Sequence, residues 1–393
     1  MRQKIESILS SRFGPHKIAG FLFLWVALTT YPRYLELFND SAPISTYSFY
    51  FDKIEHPLTP LANVDEATHE SKIVFRLTPV LFAKLMGNTS AQNGLGIIQL
   101  YLLQSLLLFP FILILLKLLI RLGDSFFAFL VVAAIASIYT TKAFFWDYIF
   151  WFDGIAYFFL LMGMYLRNRT GIFFALQLAC WTDERAAIAL FSIYLFHLLQ
   201  ENNFVLGNKV KYVPSFWKQN STVVLLCFIT YISLRMGIGS YFHLSTPLGY
   251  DAKVGLELVL FQIKYKAIGM FLTFEGLWIL YFWVLFLLWR KKHYGLCGLL
   301  AVAMLGHTVL AYCVYDISRS LSYAFPLIII SFAFLEKFKS NYNQVFIGLA
   351  TLSCILIPTQ YIIFSVNPIP LTILSGKEMY IVAGNISKLI FGI

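Results

Sequence analysis

The chain alternates long apolar runs with short polar breaks. Eleven runs stand out, at 18–38, 95–116, 125–142, 147–166, 171–183, 186–199, 221–240, 269–289, 294–314, 320–336 and 342–365. A membrane-crossing helix needs roughly 20 predominantly apolar residues. Most of the runs approach that length, and 171–183 and 186–199 fall short of it. Together these two are too long for one ordinary span, and they are divided by the polar residues Thr182, Asp183, Glu184 and Arg185. The pattern predicts two short helices meeting at a charged turn. At about 1.5 Å per residue, a helix entering near Gly171 reaches Asp183 after about 18 Å, well short of a ~30 Å hydrocarbon core. Charges at that depth require a wet, protein-lined cavity. The competing arrangement is one long tilted helix with residues 253–268 as a compensating span, which Lys264 and Lys266 disfavour.

The polar breaks sort by charge. With the N-terminus inside, one side receives Arg2, Lys4, Arg12 and Lys17, then Lys117 and Arg121, Arg167 and Arg169, Lys209, Lys211 and Lys218, Arg290 to Lys292, and Lys337 and Lys339. That is the asymmetry of cytoplasmic loops. The opposite side collects most of the acids, including Asp40, Asp52, Asp65, Glu66, Glu70, Asp147, Asp153, Asp183, Glu184, Asp251 and Asp316. Two external segments, 39–93 and 241–268, exceed what a connector needs and are expected to carry function. Neither is long enough to be a separate domain, so 1–393 reads as a single integral membrane domain. The fold class expected is an all-α polytopic membrane protein of about eleven transmembrane helices. Its N-terminus is cytoplasmic, and amphipathic interfacial helices lie in the two external loops.

Composition narrows the chemistry. The 393 residues are 59% hydrophobic and 13% charged, against about a quarter charged in soluble domains. The net charge of +10 is spread over many short loops, which positive-inside topology explains without nucleic acid. Five widely spaced cysteines form neither a disulfide framework nor a metal motif. No phosphate-binding Gly loop, HExxH or GxSxG occurs, so an enzyme built this way must take an activated substrate from the membrane. No cofactor is expected, and a divalent metal shared by external carboxylates is the weaker option.

Individual residues then carry the argument. Asp153 lies roughly 9 Å below the outer boundary if the fourth span runs back from Arg167, making it a second buried carboxylate beside Asp183 and Glu184. Asp147 reads equally as a stabiliser of a helix start. In "NVDEATHESKIVFRLTPVLFAKL", apolar positions Ile73, Val74, Leu77 and Val80 have helical spacing, while His69, Lys72 and Arg76 share a polar face. The segment predicts an amphipathic surface helix whose cationic edge either snorkels to headgroups or recognises a phosphate, for which Arg offers a bidentate fork. Asp316 and Arg319 are spaced for an intrahelical ion pair, yet Arg319 sits among apolar residues on the acidic side, where a buried cation wants an anion. His197, His293 and His307 read as ordinary span or loop residues.

The topology resembles the GT-C superfamily of polytopic glycosyltransferases: an internal N-terminus, a first span leading into a long external loop, some eleven spans, and acids with arginines on the outer side. "FDGIAYFFLL", "TDERAAIAL" and "DISRSLSYAFP" are similar to features associated with that architecture. The acidic motif that the superfamily places after its first span is represented only by "ELFND", with Glu36 and Asp40, and later by "VDEATHE". The resemblance implies sugar transfer from a polyprenyl-phosphate donor to an acceptor on the external face. Asp153, Asp183 and Glu184 would be at the reacting centre, with His69, Lys72, Arg76, Arg185, Asp316 and Arg319 binding substrate. Its partners would be the lipid-linked sugar donor and membrane lipids. The expected location is a bacterial inner membrane with a periplasmic site, an ER membrane with a lumenal site being the alternative. Rival functions are a polysaccharide polymerase, a lipid acyltransferase, or a transporter or flippase of an anionic lipid-linked substrate.

Overall fold

The computed structural model describes residues 2–31, 53–59, 74–88, 94–147, 151–204, 219–244, 255–338 and 340–357, with isolated positions at 380, 383, 384 and 387. Among the described residues the regular structure is all-helical, with no strand. Helices α1 (Arg2–Ser10), α2 (Gly14–Thr30), α3 (Leu77–Leu85) and α4 (Gly94–Leu122) lead into the bent pair α5 (Ser125–Ile135) and α6 (Tyr139–Trp146). The central trio follows: α7 (Asp153–Tyr165), α8 (Arg169–Cys180) and α9 (Arg185–Glu201). Beyond it lie α10 (Asn220–Tyr241), α11 (Glu257–Lys266), a second bent pair α12 (Ile268–Phe274) and α13 (Leu277–Arg290), and α14 (Tyr294–Tyr312). The described helices close with α15 (Ile317–Leu321), a 3₁₀ turn at Ser322–Ala324, α16 (Phe325–Phe338) and α17 (Asn341–Leu356).

Among the described residues four helices are long and apolar enough to cross a membrane: α4 from Ile98, α10, α14, and the continuous run Ile317–Phe338. The bent pairs, kinked by 48° at α5–α6 and 91° at α12–α13, raise this to six if each is one span. The remaining apolar runs form shorter helices. α7 has 13 residues and α8 has 12, or about 18 to 20 Å at ~1.5 Å per residue. They are short because their acidic ends turn into charged loops buried within the protein.

Both bends have local causes. Ser137 turns its hydroxyl back to the Ala133 carbonyl, and Thr141 donates to Ile135, one of the carbonyls freed where α5 stops. At the α12–α13 bend, Gly276 lies against α17 so closely that a Cβ would sit 2.2 Å from the Ala350 carbonyl oxygen. Only a residue without a side chain fits.

Contacts at the helix ends fix the relative direction of the helices. At one end Arg2 pairs with Asp124 at 2.9 Å, and Glu336 accepts the Asp124 backbone N–H. Arg121 donates to the Tyr165 hydroxyl, and Lys291 lies over Phe338. The basic breaks thus gather together. Gln177 on α8 donates to the Cys227 carbonyl on α10, and Trp181, just past the end of α8, meets Tyr231, farther along α10, so these two helices run parallel. α7 and α9 run the other way, joined near their starts by Asp153 with Arg185 and near their ends by the Gly163 carbonyl with His197. Residues 169–201 are therefore a helical hairpin with a reversal at Trp181 to Glu184, not one tilted helix.

One expectation for the two long loops changes. The helix containing Val80 starts at Leu77, and Arg76 precedes it, turned into the protein rather than along a cationic edge. α11 exposes apolar Leu260, Phe261 and Ile263, as an interfacial helix does, and buries Leu258, Gln262 and Lys266. Gln262 is drawn inward by the Tyr312 carbonyl, to which it donates at 2.8 Å. His69 and Lys72, as well as Glu36, Asp40 and Asp251, lie outside the described residues.

Candidate functional site

The charged turn between α8 and α9 is built by its own side chains. Thr182 donates to the Leu178 carbonyl, and Asp183 Oδ1 accepts the Arg185 backbone N–H at 3.0 Å. A carboxylate that captures the N–H groups of the next helix stops one helix and starts another. The loop before α7 is held in the same manner. Asp147 accepts from the Trp151 N–H at 2.7 Å and the Asp153 N–H at 3.1 Å, steadying a chain in which Phe152 has the left-handed φ of 61°. Such a conformation in a bulky residue is strained and persists only where its surroundings enforce it. Asp147 thus acts as the stabiliser of a helix start.

These two loops converge with Arg76, just before α3, and Arg319, on α15. Asp183 receives Arg185 as a fork: Nε donates to Oδ1 at 2.7 Å and Nη2 to Oδ2. The same Oδ2 lies 2.9 Å from Arg76 Nη2 and 3.7 Å from Arg319 Nη2. Asp153 bridges from the other side, with Oδ1 accepting from Arg185 Nη2 at 3.1 Å and from the Tyr323 hydroxyl at 2.9 Å. Its Oδ2 accepts from Arg319 Nε, with the Tyr139 hydroxyl at 3.5 Å. Asp316 completes the group through a 3.1 Å contact with Arg319 Nη1.

Aromatic and backbone groups frame the charges. The Arg319 guanidinium stacks 4.0 Å from the Trp151 ring centre, and Arg76 donates to the Trp151 carbonyl at 3.0 Å. Arg185 spans to Ser320 Oγ at 3.0 Å. The segment leading into α3 is pinned over the hairpin, Thr78 donating to the Trp181 carbonyl through its N–H and to the Leu178 carbonyl through its hydroxyl.

Three guanidiniums and three aspartates therefore form one cluster at the end of the molecule away from the basic breaks. The side chains of Asp153 and Asp183 are 0% exposed and Arg319 is 2%, whereas Arg185 is 12% and Asp316 is 16%. Approach to the cluster is by Arg185 and Asp316. In the cluster, buried Arg76 Nε and Asp316 Oδ1 retain hydrogen-bonding capacity, with no partner among the described residues. Buried polar atoms are normally paired, so such positions mark where a polar ligand group can be received.

Six of the residues singled out in the sequence are brought together here: Arg76, Asp153, Asp183, Arg185, Asp316 and Arg319. Among the described residues no ion pair joins the Glu184 side chain to Arg76, Arg185 or Arg319. Among the described residues, no three His, Cys, Asp or Glu side chains converge as metal ligands. Sequence reading did not find Tyr139, Trp151, Ser320 or Tyr323. The available signal was helical spacing, since Tyr323 is four residues beyond Arg319. It also passed over His307, whose Nε2 lies 2.9 Å from the Ser192 hydroxyl beside the cluster.

No family model matches this chain, and no curated protein or solved structure matches it.

Proposed function

We propose that this protein is an integral membrane glycosyltransferase that moves a sugar from a polyprenyl-phosphate donor to an acceptor on the face opposite the basic loops. In this reading each of the eleven apolar runs is a membrane pass and the N-terminus is cytoplasmic. The cluster then faces the periplasm of a bacterial inner membrane. The observation that carries the proposal is the convergence of Arg76, Arg185 and Arg319 on two fully buried aspartates at the acid-rich end.

Glycosyl transfer from a lipid phosphate leaves a phosphate whose charge must be stabilised, and preorganised cations in a water-poor site do this most effectively. Each guanidinium has five N–H donors, and the aspartates do not use all of them. Arg76, whose Nε is uncommitted, and Arg185, the most accessible of the three, are placed to take phosphate oxygens. Asp153 and Asp183 hold the guanidiniums in register and orient the reacting groups. Without them, three buried like charges would repel one another. Asp316, beside Arg319, belongs to the substrate-binding side.

The test is direct. Purified protein given labelled polyprenyl-phosphate sugars is expected to release polyprenyl phosphate, and Arg185→Gln is expected to reduce release by about 10²-fold or more, as loss of one charge-stabilising donor does elsewhere. No release across a panel of donors, together with proton-coupled uptake by vesicles containing the protein, would overturn this reading in favour of transport.

A further inference from the structure

Between α9 and α14 a narrow crevice reaches the cluster from the side. Arg185, Ser320 and Tyr323 form its floor, Ile188 and Leu310 its walls, and His307 faces it from α14. Its volume of about 10 Å³ accommodates a single oxygen-sized group. Leu310 is exposed, as are Leu305 on the same helix and Phe191 on α9, so the mouth opens onto an apolar surface rather than a polar one. The floor is polar and continuous with Asp153, which accepts from both Arg185 and Tyr323.

His307 is itself positioned. It is 5% exposed, and its Nε2 lies 2.9 Å from Oγ of the fully buried Ser192. With the hydrogen on Nε2 donated to Ser192, Nδ1 presents a lone pair, and no described residue takes it up. Asp153 and Asp183 differ in this respect, because each has both oxygens committed to guanidinium N–H groups.

We infer that this crevice receives the hydroxyl group of a lipid-borne acceptor, and that His307 takes its proton. The inference rests on the glycosyl-transfer reading and deepens it by naming the acceptor class and the base. The acceptor O–H bond breaks, with its proton passing to His307 Nδ1. The freed oxygen pair forms the new bond to the anomeric carbon, and the bond from that carbon to the donor's phosphate oxygen breaks. Its electron pair leaves on the lipid phosphate, which the arginines stabilise. An apolar mouth with a polar floor selects an alcohol carried on a hydrocarbon chain over a freely soluble one.

Two measurements test this. The first is transfer to lipid-linked acceptors by His307→Gln, which keeps a hydrogen-bonding group toward Ser192 and supplies no base, with Glu184→Gln alongside. His307→Gln is expected to lower turnover by about 10²- to 10⁴-fold while donor binding stays within about twofold, and Ser192→Ala is expected to be milder. Turnover by His307→Gln close to wild type, or loss confined to Glu184→Gln, overturns the assignment of the base. The second is photolabelling of the intact protein in vesicles by a long-chain alcohol bearing a diazirine beside its hydroxyl. Crosslinks are expected on α9 and α14, and Ile188→Phe, which fills the crevice, is expected to abolish them. Crosslinks elsewhere, unaffected by Ile188→Phe, overturn the binding site. Wild-type protein that cleaves no donor refutes glycosyl transfer itself, while the labelling still decides whether the crevice binds an alcohol.

Discussion

Arg76, which enters from the first long loop, reaches the Asp183 carboxylate at 2.9 Å, where that aspartate already holds Arg185 across the hairpin turn. The contact ties the segment before α3 to a fully buried charge within the bundle. It also sets what happens when either residue is changed.

Asp183→Asn leaves Arg76 and Arg185 without their shared counter-charge. Breaking a buried ion pair from one side typically costs about 3 to 5 kcal/mol. Thermal unfolding in detergent is expected to show a loss of that order, and Asp183→Asn combined with Arg76→Gln is expected to lose less than the sum of the two single changes. Strict additivity would show that the two side chains do not interact in solution.

Asp147 acts through the backbone it holds. Asp147→Ala removes the acceptor for the Trp151 and Asp153 N–H groups, and loss of a comparable cap costs about 0.5 to 2 kcal/mol. Because Trp151 lies under Arg319 and accepts from Arg76, donor binding should weaken as well, whereas Asp147→Asn retains one acceptor oxygen and part of the effect. Equal donor affinity in Asp147→Ala and wild type would refute the positioning role.

The hairpin sense of α8 and α9 predicts sidedness. In a background lacking Cys297, single cysteines at Thr170 and Asn203 are expected to react with impermeant maleimide only from the basic side of oriented vesicles. A cysteine at the 73% exposed Leu256 is expected to react only from the other side. Thr170 and Asn203 labelling from opposite faces is incompatible with the hairpin.

Gly276→Ala forces a methyl group toward the Ala350 carbonyl, and overpacking of this kind costs about 1 to 3 kcal/mol. Gly348→Ala, where a Cβ meets nothing within 4 Å, is the matched control. Within a helix that substitution is expected to be neutral or stabilising by up to about 1 kcal/mol. Melting temperatures that fall equally in both would show that close approach to α17 is not what requires glycine at 276.

The sequence by itself determined that the described residues fold as apolar helices and where the chief charged break between them falls. Apolar runs of the right length leave few alternatives to a helix, and the polar interruption at Thr182 to Arg185 marked a break because three ionisable groups are too costly to carry through an apolar core. It also identified Asp153, Asp183, Arg185 and Arg319 as misplaced charges. Tertiary structure alone decided their partners. Asp183 meets Arg76, and Asp153 meets Arg319, across distances in the chain that no local spacing encodes. It also turned Arg76 inward, because the pull of a buried carboxylate outweighs the hydration available at a surface. His307 carries no signal within its own apolar helix. It becomes notable only because packing brings Ser192 to its ring and sets it in the lining of the Arg185 crevice.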